Sequence, residues 1–180
     1  MKQKPKNRQK LNTPKTGNTK KKRVVTVVAA LFLFLLYIAI FSFSEQDGQE
    51  SGGLSRFISE RCVEFVNALA GRRWSEIFME EMAIYFEHPI RKLAHFMEYA
   101  CMGILVYIMW RPWKMRGRGL YLLVLAWVFV SAAGDELHQF FVPGRYGCFT
   151  DVLLDTGGGG FGVLLCSLCE KIWHKKATAN

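Results

Sequence analysis

Val24 to Phe43 is a run of twenty residues without a charged side chain. As a helix rising 1.5 Å per residue, it matches the roughly 30 Å hydrocarbon core of a bilayer. A helix that is apolar on every face must lie in a large protein core or in lipid. The 180 residues provide one compact unit rather than several domains, so lipid is the surrounding that fits. Ser42 and Ser44 offer a weak small-x-small cleavage pattern. The run nevertheless exceeds the roughly 7 to 15 residues of a signal-peptide core, and it reads as a first transmembrane helix over 24–43.

Three further apolar stretches follow, at Pro89 to Trp110, Gly119 to Phe140 and Asp151 to Glu170. Their charge-free portions, Tyr99 to Trp110, Gly119 to Gly134 and Thr156 to Cys169, fall short of the roughly 18 residues of a simple span. Each reaches membrane length only by including polar residues at one end. Those residues stand at the start of the second span, the end of the third and the start of the fourth. An up-and-down arrangement therefore puts all three polar ends on one side.

Charge assigns that side. The formal net charge of +9 comes from the first 23 residues, which hold ten Lys or Arg and no acid. The remainder is nearly neutral, so nucleic acid is not an expected partner. Residues 1–23 lack the apolar surface that offsets ordering entropy and read as a disordered basic tail. With Arg111 to Arg118 and the terminal segment 171–180, this tail is expected in the cytoplasm. The acidic segment Glu45 to Glu87 and the turn after Phe140 are then expected outside. The expected fold is an all-α membrane protein, a four-transmembrane-helix bundle with both termini inside. Amphipathic helices are expected between the first and second spans: Leu54, Phe57, Ile58, Phe65, Val66 and Leu69 recur at helical spacing. Gly71 ends that helix, and Trp74, Phe78, Met82 and Tyr85 form a second, weaker stripe; both helices are placed as a roof over the polar ends.

The outer ends carry the chemistry. Lys92, His95 and Tyr99 share one helical face, with Glu98 beside His95. Asp135, His138 and Gln139 share a face of the third span, next to Glu136. Val142-Pro143-Gly144-Arg145 reads as a tight turn that returns Arg145 over the helix ends. Thr150 is the expected N-cap of the fourth span, followed by Asp151 and Asp155 near the positive end of its dipole. His95, Glu98, Asp135, Glu136, His138 and Asp151 are the candidate catalytic groups. Lys92, Tyr99, Gln139, Arg145 and Asp155 are the candidate ligand-binding groups. His95-x-x-Glu98 and Asp135-Glu136-x-His138 match no specific zinc spacing, so metal and cofactor stay unassigned. The bland alternative is an interhelical ion-pair network that only holds the ends together. Gly157 to Gly160 with Gly162 suits close helix packing through a Gly158/Gly162 pair, not a phosphate loop. Cys62 and Cys148 are both expected outside, where they can pair; Cys166 and Cys169 read as packing residues.

These motifs carry a resemblance. Lys92-Leu93-Ala94-His95-Phe96 with Glu98, Tyr99 and Gly103, then Asp135-Glu136-Leu137-His138-Gln139-Phe140, Pro143-Gly144-Arg145 and Asp151-Val152-Leu153-Leu154-Asp155 with the following glycines resemble the VanZ-like family. The likeness runs from about Ser44 to Leu165, and the VanZ-like domain is expected over 44–170. It implies a small multi-span bacterial envelope protein, with a namesake associated with teicoplanin resistance. Asp155 departs from the family pattern, where Asn is expected, and adds a carboxylate suited to a metal or a proton. The resemblance and the polar ends lead to a pocket for an anionic lipid or cell-wall-precursor group. The expected partners are membrane lipids, a lipid-linked cell-wall precursor or a lipoglycopeptide. A membrane enzyme acting on a phosphorylated or acylated lipid head group is the alternative, with His95 and His138 as acid and base. A proton-coupled transporter using Glu98 and Asp135 ranks third.

Overall fold

The computed structural model describes residues 16–45, 50–142 and 147–179. Every regular element among them is helical: α1 (Thr16–Glu45), α2 (Glu50–Leu69), α3 (Glu76–Trp110), α4 (Arg118–Gln139) and α5 (Phe149–Ala179), with a 3-10 turn at Arg111–Trp113. Helices α1, α3, α4 and α5 are long and apolar enough to cross a membrane. The all-helical, four-span architecture is therefore as expected, but several boundaries differ.

Helix α1 starts at Thr16, so part of the basic segment assigned to a disordered tail, including Lys20 to Arg23, is helical. Lys and Arg are good helix formers, and extending an existing helix avoids the cost of a new nucleus. Helix α5 likewise runs through the terminal segment to Ala179. Thr150 lies inside its first turn rather than capping it, because the Cys148 carbonyl already accepts from Asp151 N–H. The Pro143-Gly144-Arg145 turn lies outside the described residues, as do the first 15 residues of the basic tail.

The largest departure concerns α3. The second amphipathic stripe and the second span form one 35-residue helix with Pro89 inside it. Ser75 starts this helix, its hydroxyl oxygen accepting from Phe78 N–H at 3.3 Å. Helix α2 ends at Leu69, and Gly71 follows with φ +83°, a conformation that glycine takes without steric cost. The chain then reverses, and α2 packs along the first half of α3. Ser55, Ser59, Val63 and Asn67 of α2 are buried, and Ser59 Oγ donates to the Ala83 carbonyl at 2.5 Å. The apolar stripe of Phe57, Ile58, Phe65, Val66 and Leu69 is exposed. Small and polar residues inside with apolar residues outside is the pattern of helices packed in lipid.

Helix α3 touches every other helix and packs most extensively on α5. Gly158 and Gly162 of α5 lie so close to the Phe96 and Ala100 carbonyls of α3 that a Cβ at either would overlap the oxygen. Gly159 faces Gly103 of α3 and Val128 of α4 in the same way. The backbones thus approach closely, and dispersion contacts replace the hydrophobic drive that lipid removes. Met102, Val106, Val124 and Val128 fill the core between the helices.

Polar contacts fix which helix ends meet. At one end Arg111 donates to both oxygens of Glu170 at 2.7 and 2.8 Å, and Trp113 Nε1 donates to Thr26 at 2.8 Å. At the other end Gln139 meets Ser44, and Lys92 meets Asp151. The polar starts of α5 and of the membrane part of α3 thus share one end with the C-terminus of α4.

Candidate functional site

The shared polar end encloses a cavity of about 360 Å³. Helix α3 contributes His88, Arg91, Lys92 and His95, which follow one another along one face of the helix. Helix α4 contributes Glu136 and Gln139, and α5 contributes Asp151, Leu154 and Asp155 behind Cys148. No α2 residue lines the cavity. The expected roof is absent among the described residues because α2 lies on the part of α3 that precedes it.

Lys92 Nζ donates to Asp151 Oδ1 at 2.5 Å, closing the mouth between α3 and α5. Arg91 pairs with Glu87 on its own helix at 3.2 Å. His95 lies in the wall, with its Nδ1 3.5 Å from Glu98 Oε2. Opposite, Glu136 Oε2 accepts from Cys148 N–H at 2.7 Å, and Gly147 passes so close to the Glu136 carbonyl that only glycine fits. This contact ties the start of α5 to the end of α4.

Gln139 reaches inward, its amide donating to Ser44 Oγ at 2.8 Å and to Asp135 Oδ2 at 3.1 Å. Asp135 is 1% exposed and accepts from that amide, which lines the cavity. Asp155 is 2% exposed and lines the cavity directly. Oδ1 of both aspartates is buried and has no hydrogen-bond partner among the described residues. Asp155 is in electrostatic range of Asp135, Glu136, Asp151 and Glu98, so the deep wall is a field of carboxylates. Tyr99, 1% exposed, sits behind it within range of Asp135 and Asp155.

The structure thus brings Lys92, His95, Glu136, Gln139, Asp151 and Asp155 together, with Asp135, Glu98 and Tyr99 around them. His138 stands apart, its ring edge-on to Phe41 of α1 with centroids 6.0 Å apart. Arg145 lies outside the described residues. Sequence reasoning missed His88, Arg91 and Cys148 as wall residues. The helical spacing of His88, Arg91, Lys92 and His95 carried the signal for the first two. Pro89, taken as a helix start, cut it off. All five cysteines are free, so Cys62 and Cys148 are not joined. Among the described residues no three His, Cys, Asp or Glu come together as a metal site.

Four membrane-length helices, three of them lining a charged cavity, define a multi-pass α-helical membrane protein. The chain belongs to the VanZ/LLP1 family, whose model matches residues 29–170. That match extends further toward the N-terminus than the motifs suggested, taking in most of the apolar part of α1. Comparison with curated proteins and with solved structures gave no match.

Proposed function

We propose that this protein resides in the bacterial cell membrane, with both termini inside, and binds the phosphate-bearing head of an envelope lipid or lipid-linked cell-wall precursor at the outer leaflet. The single observation that carries this reading is the cavity of about 360 Å³ at a membrane-helix end, within the size range of small-ligand sites, with Arg91 and Lys92 in its wall. Basic residues support the orientation: Lys20 to Arg23, Lys114, Arg116, Arg118 and Lys171 gather at the opposite end. Holding such a group alters the display of cell-wall precursors and, with it, susceptibility to teicoplanin-type glycopeptides.

A second reading, an enzyme acting on the same head group, draws on one contact. Glu98 beside His95 Nδ1 is placed to orient that ring as a general base. The position of His138 makes Glu136 or Asp151 the better partner for His95.

Cells expressing wild type, Lys92→Ala, His95→Ala or Glu136→Gln are compared for teicoplanin susceptibility, lipids and muropeptides. Protection lost in the variants without any chemical change supports binding. A new product in wild type that disappears in His95→Ala supports the enzyme. Stable variants that match wild type in every readout would sink both.

A further inference from the structure

The wall of the cavity holds a buried acid with an unsatisfied oxygen. Asp155 is 2% exposed and lines the cavity, and its Oδ1 has no hydrogen-bond partner among the described residues. A buried acceptor without a donor is costly, and an ionised one more so. The nearest deep neighbour makes it worse, because Asp135 Oδ1 is buried and unsatisfied too.

The mouth also holds cations, Lys92 paired with Asp151 and Arg91 with Glu87. Lys92 has a side chain 37% exposed and offers three donors, of which Asp151 takes one. Arg91 stands beside it. A ligand entering the cavity therefore passes cations first and meets a bare carboxylate at depth. One ligand chemistry matches both levels: an anionic phosphate with a primary ammonium a few bonds further on. A divalent ion fits less well, since it needs several carboxylate or imidazole ligands and the described residues bring no three together. The cavity is also far larger than one ion requires.

We propose that the cavity receives the zwitterionic head group of an ethanolamine-type phospholipid, with the ammonium on Asp155 and the phosphate at Lys92 and Arg91. This rests on the reading of the cavity as a head-group site and names its substrate class. The ammonium donates to the Asp155 carboxylate, and the neighbouring Asp135 adds attraction. Asp155 is thus a specificity residue, and Lys92 is a general anchor for any phosphate.

The full-length protein in detergent is incubated with equal amounts of short-chain phosphatidylethanolamine, its N-acetyl derivative, phosphatidylglycerol and soluble glycerophosphoethanolamine, and retained ligand is read by native mass spectrometry. Wild type should retain phosphatidylethanolamine about tenfold over the N-acetyl form and phosphatidylglycerol, the worth of one charged hydrogen bond. Asp155→Asn should lose that preference while still holding phosphatidylglycerol, and should melt no lower than wild type because it takes one acid out of a cluster of acids. Equal retention of all three lipids by wild type overturns the ammonium assignment and leaves the head-group reading standing. No retained lipid overturns both. Retention of glycerophosphoethanolamine as strong as that of the lipid keeps the ammonium seat but overturns the phospholipid as its source. If Asp155→Asn does not fold, the wild-type comparison between phosphatidylethanolamine and its N-acetyl form decides alone.

Discussion

Lys92 Nζ and Asp151 Oδ1 lie 2.5 Å apart although 59 residues separate them, and this contact joins α3 to α5 at the mouth of the cavity. Both side chains are partly exposed, so water screens the pair. Lys92→Met should lower stability by about 1 kcal/mol. Lys92→Met with Asp151→Asn should cost less than the two single changes together, because each removes the same contact. Thermal unfolding of the four proteins in detergent gives the coupling, and strict additivity would show that the contact contributes nothing.

Gln139 links Asp135 to the cavity, donating to Ser44 and Asp135 from one amide nitrogen. Gln139→Leu leaves Asp135 buried without that donor and should destabilise by about 2 kcal/mol. Gln139→Glu should cost at least as much, since it sets a second carboxylate beside the first. Unchanged melting of both variants would show that water already satisfies this aspartate.

The glycine run offers an internal control. A Cβ at Gly158 would stand 3.1 Å from the Phe96 carbonyl carbon and overlap its oxygen, whereas a Cβ at Gly157 meets nothing closer than 4.0 Å. Gly158→Ala should push α5 off α3 and cost about 2 to 3 kcal/mol. Gly157→Ala, one residue away, should be neutral or stabilise by about 0.5 to 1 kcal/mol through helix propensity. Retained fold in detergent and under thermal challenge distinguishes the two; equal effects would refute the backbone contact.

The Cys148 thiol is held below its ordinary range, first by the side-chain hydrogen bond with Thr150, whose Oγ1 is 2.7 Å from its Sγ. Its thiolate therefore forms at lower pH than that of a free cysteine. In a variant with Cys148 as the sole cysteine, alkylation should accelerate at a lower pH than for a free thiol, and Thr150→Val should move the profile upward. An impermeant maleimide applied to intact cells tests the orientation as well: labelling places the cavity outside, and labelling only after lysis places it inside.

The charge-free run Val24 to Phe43, the three interrupted apolar stretches and the basic segments were enough to read four membrane helices and the sharing of one end by their polar residues. Lipid imposes length and satisfied backbones, and both appear directly in one dimension as uninterrupted apolar runs. The spacing of Gly158 and Gly162 was legible for a similar reason, since a helix places residues four apart on one face. Helical spacing also put Asp135 and His138 on a common face, yet Asp135 is buried against Gln139 while His138 turns to Phe41 on α1. Only the rotation of α4 against its neighbours decides between those surroundings. The same holds for α2, read as a roof over the polar ends, which instead buries Ser55, Ser59 and Asn67 while its contacts run to α3. Periodicity finds the two faces of a helix; whether the apolar face meets protein or lipid depends on the neighbour. The depth of Asp155 and the absence of a described donor for its Oδ1 were likewise invisible in the sequence, because burial is set by helices that meet only in the folded protein.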